Sequence, residues 1–146
     1  MRESGPWTYA IVNLTHILAV STLFGSVLVL DLRLLGLWGR RVSIADLSSV
    51  VTPVAMTGFV VAAATGAAML ATKATAYVGN PFLLIKFPAI AVGVLNAAAL
   101  NMTPAWQELR LRALTPRERR QLAVFGGVSL TAWLTAITCG RMIGYW

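Results

Sequence analysis

The sequence has few of the residues from which soluble active sites are built. Its 146 residues include one cysteine, Cys139, one histidine, His16, and five acidic residues in all. A single cysteine excludes an intramolecular disulfide, and a single histidine excludes a His-rich metal site within one chain. There is no glycine-rich phosphate loop, zinc-ligand spacing or acidic pair for acid–base work, so the sequence does not predict an enzyme.

Charge is also scarce. Charged residues make up 12% of the chain and hydrophobic residues 58%, against about 25% and roughly 45–50% in soluble domains. This composition excludes a disordered chain and argues against a soluble globular domain. The formal net charge is +7, which in a soluble protein would suggest nucleic acid as a partner. Here the high apolar content indicates that the positive charges determine the orientation of the protein in a membrane. We therefore expect the lipid bilayer as the partner and no nucleic acid.

Four long apolar runs divide the chain. A membrane-crossing helix needs about 20 mostly apolar residues, and the runs predict spans over about 8–30, 47–72, 81–101 and 119–143. Arg2 is offset by Glu3 and the first run is too long for a signal peptide, so we expect a retained helix. The prediction is an all-α, single membrane domain over 1–146: a four-transmembrane-helix antiparallel bundle with short interfacial segments in the cytoplasmic loops.

Local patterns indicate where helices begin and how they pack. Asn80-Pro81 and Thr115-Pro116-Arg117-Glu118 are typical helix starts. Asn96 predicts an interhelical hydrogen bond, and Asp31 with Arg33 predicts ion pairs to arginines of the third loop. Small residues predict close helix packing at four-residue spacing on the second helix (Gly58, Ala62 and Gly66) and on the third (Ala89, Gly93 and Ala97). On the fourth, Ser129, Trp133, Ala136, Gly140 and Gly144 form one stripe.

The arginines predict the orientation. Two of the three loops contain eight of them: Arg33, Arg40, Arg41, Arg110, Arg112, Arg117, Arg119 and Arg120. The positive-inside rule puts both loops in the cytoplasm and both termini outside. Apolar residues such as Leu34, Trp38 and Trp106 lie among these arginines, which predicts interfacial segments on anionic lipid. A docking surface for a partner protein is the alternative.

Three ionisable residues lie within the spans. From the helical rise, Lys86 and Arg141 are about 8 Å deep and His16 about 14 Å deep, all in the outer half. Asn13 and Tyr77 can line the same region. Ionisable residues within a membrane span are energetically costly, so each of them is a candidate functional residue. The structural alternatives are snorkelling of the two cations to headgroups and an imidazole that is hydrogen-bonded across helices.

One histidine with two cations and no nearby carboxylate suits an anionic cofactor. Haem b has this chemistry: His16 would ligate iron while Lys86 and Arg141 pair with propionates. A bis-histidine haem would need a second chain, hence a homo-oligomer or a larger membrane complex. Copper is a second candidate, with His16, Cys139 and Met142 as soft ligands, although adjacent cations disfavour it. The sequence also leaves open an accessory subunit without cofactor and a copper permease-like protein.

A family resemblance covers nearly the whole chain. It rests on Thr15-His16-Ile17-Leu18, the run of residues 25–36 that contains DLRLLG, Asn80-Pro81-Phe82 with Lys86, and the terminal Gly140-Arg141. This pattern resembles a family of small bacterial four-helix membrane proteins of unknown function. More distantly, it is similar to the membrane domain of copper resistance protein D, which is larger and linked with copper uptake. The resemblance implies a bacterial inner-membrane location and inward-facing His16, Lys86 and Arg141, and implies no activity.

Overall fold

In the part of the chain that the computed structural model describes, residues 5–72 and 78–143, all regular secondary structure is helical. In chain order the helices are α1 (Pro6–Leu34), α2 (Ile44–Thr72), α3 (Pro81–Asn101), the short α4 (Pro104–Gln107) and α5 (Pro116–Met142). The predicted all-α class with four long helices is therefore confirmed. The third span begins and ends at the predicted residues, whereas α1 continues four residues beyond the predicted span.

The four long helices are those of a multi-pass membrane protein. They contain 29, 29, 21 and 27 residues, with a mean hydropathy of 1.7 to 1.9 over their most apolar windows. Even α3, the shortest, is about 32 Å long, which matches the hydrocarbon thickness of a bilayer. Large apolar side chains are exposed on their outer faces, as at Leu14 (56%), Val60 (60%) and Leu95 (68%). In a bilayer, these faces contact lipid.

The predicted helix starts are confirmed by their hydrogen bonds. Thr115 and Glu118 form a complete capping box at the start of α5. The Asn80 side chain accepts a hydrogen bond from the Phe82 backbone N–H at the start of α3. Because these caps satisfy backbone N–H groups that have no partner within the helix, they determine where α3 and α5 begin.

The helices form a bundle with one loosely packed side. α1 packs on both α2 and α5, and α5 packs on α3, while α2 and α3 are in sparse contact. Phe59 of α2 crosses the interior to meet Trp133 of α5 edge-to-face, with ring centroids 6.0 Å apart. Gly93 of α3 allows this arrangement, since a Cβ there would lie 2.7 Å from the Trp133 ring. The predicted hydrogen bond of Asn96 is also present: its side-chain amide donates to the Phe125 carbonyl at 2.9 Å.

The two ends of the bundle differ. The connections 35–43 and 102–115 meet at one end, which we call the arginine end; residues 78–80, the start of α1 and the end of α5 lie at the opposite end. An apolar cluster closes the arginine end: Leu34, Ile44, Leu100, Ala105 and Leu122. Trp106, Leu109 and Leu114 pack against it, so these residues and Leu34 lie on protein, whereas Leu37 (73% exposed) and Trp38 (58% exposed) remain available to the interface.

The predicted ion pairs of Asp31 and Arg33 are wrong. Asp31 is 3% exposed and lies against α5, where its backbone carbonyl is 3.1 Å from the Cβ position of Gly126. Its Oδ2 has no hydrogen-bond partner among the described residues, and Arg33 donates instead to the Val42 carbonyl at 2.7 Å. The reason is that α1 continues to Leu34, which puts Asp31 on the inward stripe and turns Arg33 away from it.

Candidate functional site

A ladder of small residues on α2 determines how closely α1 approaches. A Cβ added at Gly58 would lie 2.9 Å from the Leu23 backbone nitrogen and 3.0 Å from the Ala19 carbonyl oxygen. Two turns further along α2, a Cβ at Gly66 would lie 3.1 Å from Cε1 of His16. The imidazole of His16 therefore rests directly on α2, and a side chain at Gly66 would push against it.

The hydrogen bonds of His16 determine its tautomer. Nδ1 lies 3.1 Å from the Ala62 carbonyl and 2.9 Å from Oγ1 of Thr65. A carbonyl only accepts, and the Thr65 hydroxyl donates its own proton to the Val61 carbonyl at 2.7 Å. The Ala62 contact therefore places the proton on Nδ1, and the Thr65 oxygen can accept from the same N–H. Nε2 keeps its lone pair and has no hydrogen-bond partner within residues 5–72 and 78–143.

Lys86 approaches the same region from α3. Its Nζ is 3.3 Å from the position that a Cβ of Gly140 would occupy on α5. The ammonium is close enough to the buried Cys139 and to His16 to interact electrostatically with both. It donates no hydrogen bond and forms no ion pair to any described residue. Lys86 thus points into the bundle rather than along lipid, as its place on the packing face predicted.

These side chains form one group to which all four long helices contribute. We call it the His16–Lys86 cluster: His16 of α1, Thr65 and Gly66 of α2, Lys86 of α3, and Cys139 and Gly140 of α5. Asp31 is the acidic residue on the same helix as His16, and it lies about 22 Å further along α1. Among the described residues, the charge of Lys86 is therefore not compensated by a carboxylate, so the cluster favours an anion.

The remaining predicted site residues are distributed around this cluster. Asn13 is half-buried on α1, one turn before His16. Arg141 is exposed in the last turn of α5, whereas Lys86 is half-buried. Met142 is 40% exposed. Tyr77 lies outside the described residues. The structure therefore brings together His16, Lys86 and Cys139.

Thr65 is a residue of the cluster that the sequence did not single out. It lies in an uncharged run, where a threonine usually bonds its own helix, and only the position of His16 on another helix makes its hydroxyl an acceptor. Within the described ranges, no group of three or more His, Cys, Asp or Glu side chains could hold a metal ion. A metal bound at Nε2 of His16 would therefore take its other donors from a macrocycle, from methionine or from another chain.

Comparisons with protein-family models, with curated proteins and with solved structures found no match. The function of this chain is therefore inferred from its own residues and their geometry.

Proposed function

We propose that this chain is a membrane-embedded binding subunit that holds an anionic cofactor at the His16–Lys86 cluster, with haem b as the cofactor of matching chemistry. The observation that carries the proposal is the fixed tautomer of His16. Its Nδ1–H is held by Ala62 and Thr65, which leaves the Nε2 lone pair without a partner among the described residues. Metal-ligating histidines are held in this way, because the second nitrogen orients the ring and raises its basicity.

Lys86 supplies the second requirement. Its ammonium lies against α5 and has no carboxylate partner among the described residues, and a propionate of a bound haem would supply a counter-ion in a charge-assisted hydrogen bond. Arg141 and Asn13, closer to the helix ends, are the candidates for the outer edge of such a site. Haem supplies one-electron chemistry when it is bound. The chain has no second histidine, so a bis-histidine site requires a second copy or another subunit.

Two alternatives from the sequence remain as competing outcomes. A copper permease-like role would use His16, Cys139 and Met142, but the ammonium of Lys86 beside Cys139 repels a cation at that position. An accessory subunit of a larger complex without cofactor would use the same packing and leave Nε2 without a ligand. Absorption and copper stoichiometry of the purified protein distinguish these functions.

The first prediction is that the protein, produced in cells with ample haem and purified in mild detergent, has a Soret band that depends on His16. His16→Ala should abolish the band because it removes the iron ligand. Thr65→Val, which removes one of the two acceptors of the Nδ1–H bond at similar volume, should shift the band or weaken haem retention. Thr57→Val is the matched control, since the Thr57 hydroxyl bonds only the Pro53 carbonyl of its own helix.

Chemical rescue separates a lost ligand from a lost fold. In His16→Gly, imidazole added to the buffer should restore the band, because it occupies the space of the missing side chain. A colourless wild-type protein, or a band that persists in His16→Ala, would remove haem from the proposal. Copper bound stoichiometrically to a colourless protein would support the permease-like alternative instead.

We further propose that the membrane is a bacterial inner membrane, with the arginine end in the cytoplasm. This orientation is supported by the eight arginines of the two connections and helix ends at that end. The second prediction concerns labelling of intact cells with a membrane-impermeant maleimide. Val78→Cys, at a site 78% exposed at the opposite end, should be labelled. Arg117→Cys should be labelled only after the cells are permeabilised. Labelling of Arg117→Cys in intact cells would reverse the topology.

A further inference from the structure

The arginine end contains a second site, unrelated to the His16–Lys86 cluster. A cavity of about 810 Å³ opens between the 35–43 connection, residues 109–114 and the first turns of α5. Its floor is apolar and includes Leu34, Ile44 and Leu122, three members of the buried cluster. Guanidinium groups surround this floor: those of Arg33, Arg40, Arg112, Arg119 and Arg120.

Most of this positive charge has no internal counter-ion. Arg112 is neutralised, because it donates to Glu108 at 2.7 Å and to both oxygens of Glu118 at 2.6 and 2.7 Å. Asp46 pairs with Arg110, which does not line the cavity, and Asp31 is buried against α5. Among the described residues, the other four arginines of the cavity therefore have no carboxylate partner.

Two of these arginines are held in place by backbone groups. The Nε–H of Arg33 donates to the Val42 carbonyl and that of Arg40 to the Gly36 carbonyl. Each bond uses one of the five N–H donors of a guanidinium and leaves the terminal NH₂ groups for a ligand. The side chains are thus partly ordered before anything binds, which reduces the entropy lost on binding.

We propose that this cavity binds the phosphate headgroup of an anionic phospholipid, with the first part of an acyl chain on the apolar floor. Guanidinium groups bind phosphate through paired charge-assisted hydrogen bonds. The four long helices put this end of the bundle at headgroup level, where basic pockets between helices recognise such lipids. A soluble phosphate has the same charge chemistry but gains nothing from Leu34, Ile44 and Leu122, and for this reason we assign the ligand to the lipid.

Native mass spectrometry of the delipidated protein in a neutral detergent tests the proposal, with phosphatidylglycerol and phosphatidylcholine as probes. The test variant is Arg119→Gln/Arg120→Gln. The control is Arg110→Gln/Arg117→Gln, which removes the same charge at the same end from residues that do not line the cavity. All four positions are exposed, so both variants should fold, which melting in the absence of lipid verifies.

The wild type and the control should bind phosphatidylglycerol in preference to phosphatidylcholine. The test variant should bind it about thirtyfold more weakly, as expected from about 1 kcal/mol for each of the two lost arginines. Equal loss in both variants would show a general charge effect and overturn the site. Absence of preference between the two lipids would overturn it as well. A third probe, glycerol 3-phosphate, separates lipid from soluble anion: if it displaces phosphatidylglycerol at equal concentration, the lipid assignment is wrong.

Discussion

Replacing Gly58 by leucine is expected to separate α1 from α2 and to lower the free energy of unfolding by about 3 kcal/mol, the upper part of the range for overpacking. A Cβ at this position would lie 2.9 Å from the Leu23 nitrogen and 3.2 Å from its Cα. These are backbone atoms of a neighbouring helix, so no rotamer change can make room. In a protein of this size the melting temperature should fall by about 10 °C.

Gly25→Leu is the matched control for this substitution. Gly25 also lies within a membrane helix, but a Cβ there meets no atom within 4 Å, so the new side chain should be accommodated at little cost. Both variants should be compared with wild type by thermal unfolding in the same detergent. Equal melting temperatures for Gly58→Leu and Gly25→Leu would mean that the α1–α2 contact does not hold the bundle together.

The same substitution should also affect the candidate site. Gly58 and Ala62 lie on the stripe of α2 that ends at Gly66, beneath the His16 ring. If α1 moves away at Gly58, the bonds from His16 to Ala62 and Thr65 lengthen and the proton is no longer fixed on Nδ1. The close packing of α1 on α2 therefore also maintains the orientation of Nε2. For this reason Gly58→Leu should weaken haem retention even where the helices remain inserted in the membrane.

Much of the fold could be predicted because bilayer physics leaves few choices. A long apolar run in lipid must become a helix that satisfies its own backbone groups, and Asn80 and Thr115 then determine where two helices begin. The small-residue stripes predicted the contacts at Gly58 and Gly93. The prediction failed where loops meet helix ends. Leu34 and Trp106 were expected at the lipid interface, yet Leu34 belongs to the buried cluster and Trp106 packs against it, because apolar residues near arginines fit either environment equally well.

The candidate site was predictable only in part. His16 and Lys86 stand out because ionisable groups within a span are rare, and helical spacing puts Lys86 on the packing face with Gly93. The role of Thr65 depends on the register between α1 and α2, which no periodicity within one helix specifies. The cavity at the arginine end could not be predicted for the same reason, since it also depends on how separate helices are placed relative to one another. Arg33 and Arg119 are 86 residues apart in the sequence, and they meet only because antiparallel helices return both connections to one end.

Lys86→Met is expected to have opposite effects on the haem-loaded and the haem-free protein. The substitution keeps a similar length of side chain and removes the charge. With haem bound, it leaves a propionate without its partner, so haem retention should weaken and the loaded protein should lose about 2 kcal/mol of stability, somewhat less than breaking a fully buried ion pair costs. Without haem, it removes an inward-pointing ammonium that has no ion pair among the described residues, so the melting temperature should rise.

The test compares melting temperatures of wild type and Lys86→Met, each purified from haem-replete and from haem-deficient cells. Arg117→Met is the charge-matched control, because Arg117 is exposed on the first turn of α5 and its loss should change neither state. The sign of the effect is decisive, since a structural lysine that only snorkels to headgroups has no reason to respond to haem. If Lys86→Met shifts both states by the same amount, Lys86 does not hold an anionic cofactor, and His16 Nε2 alone would remain as the basis for binding.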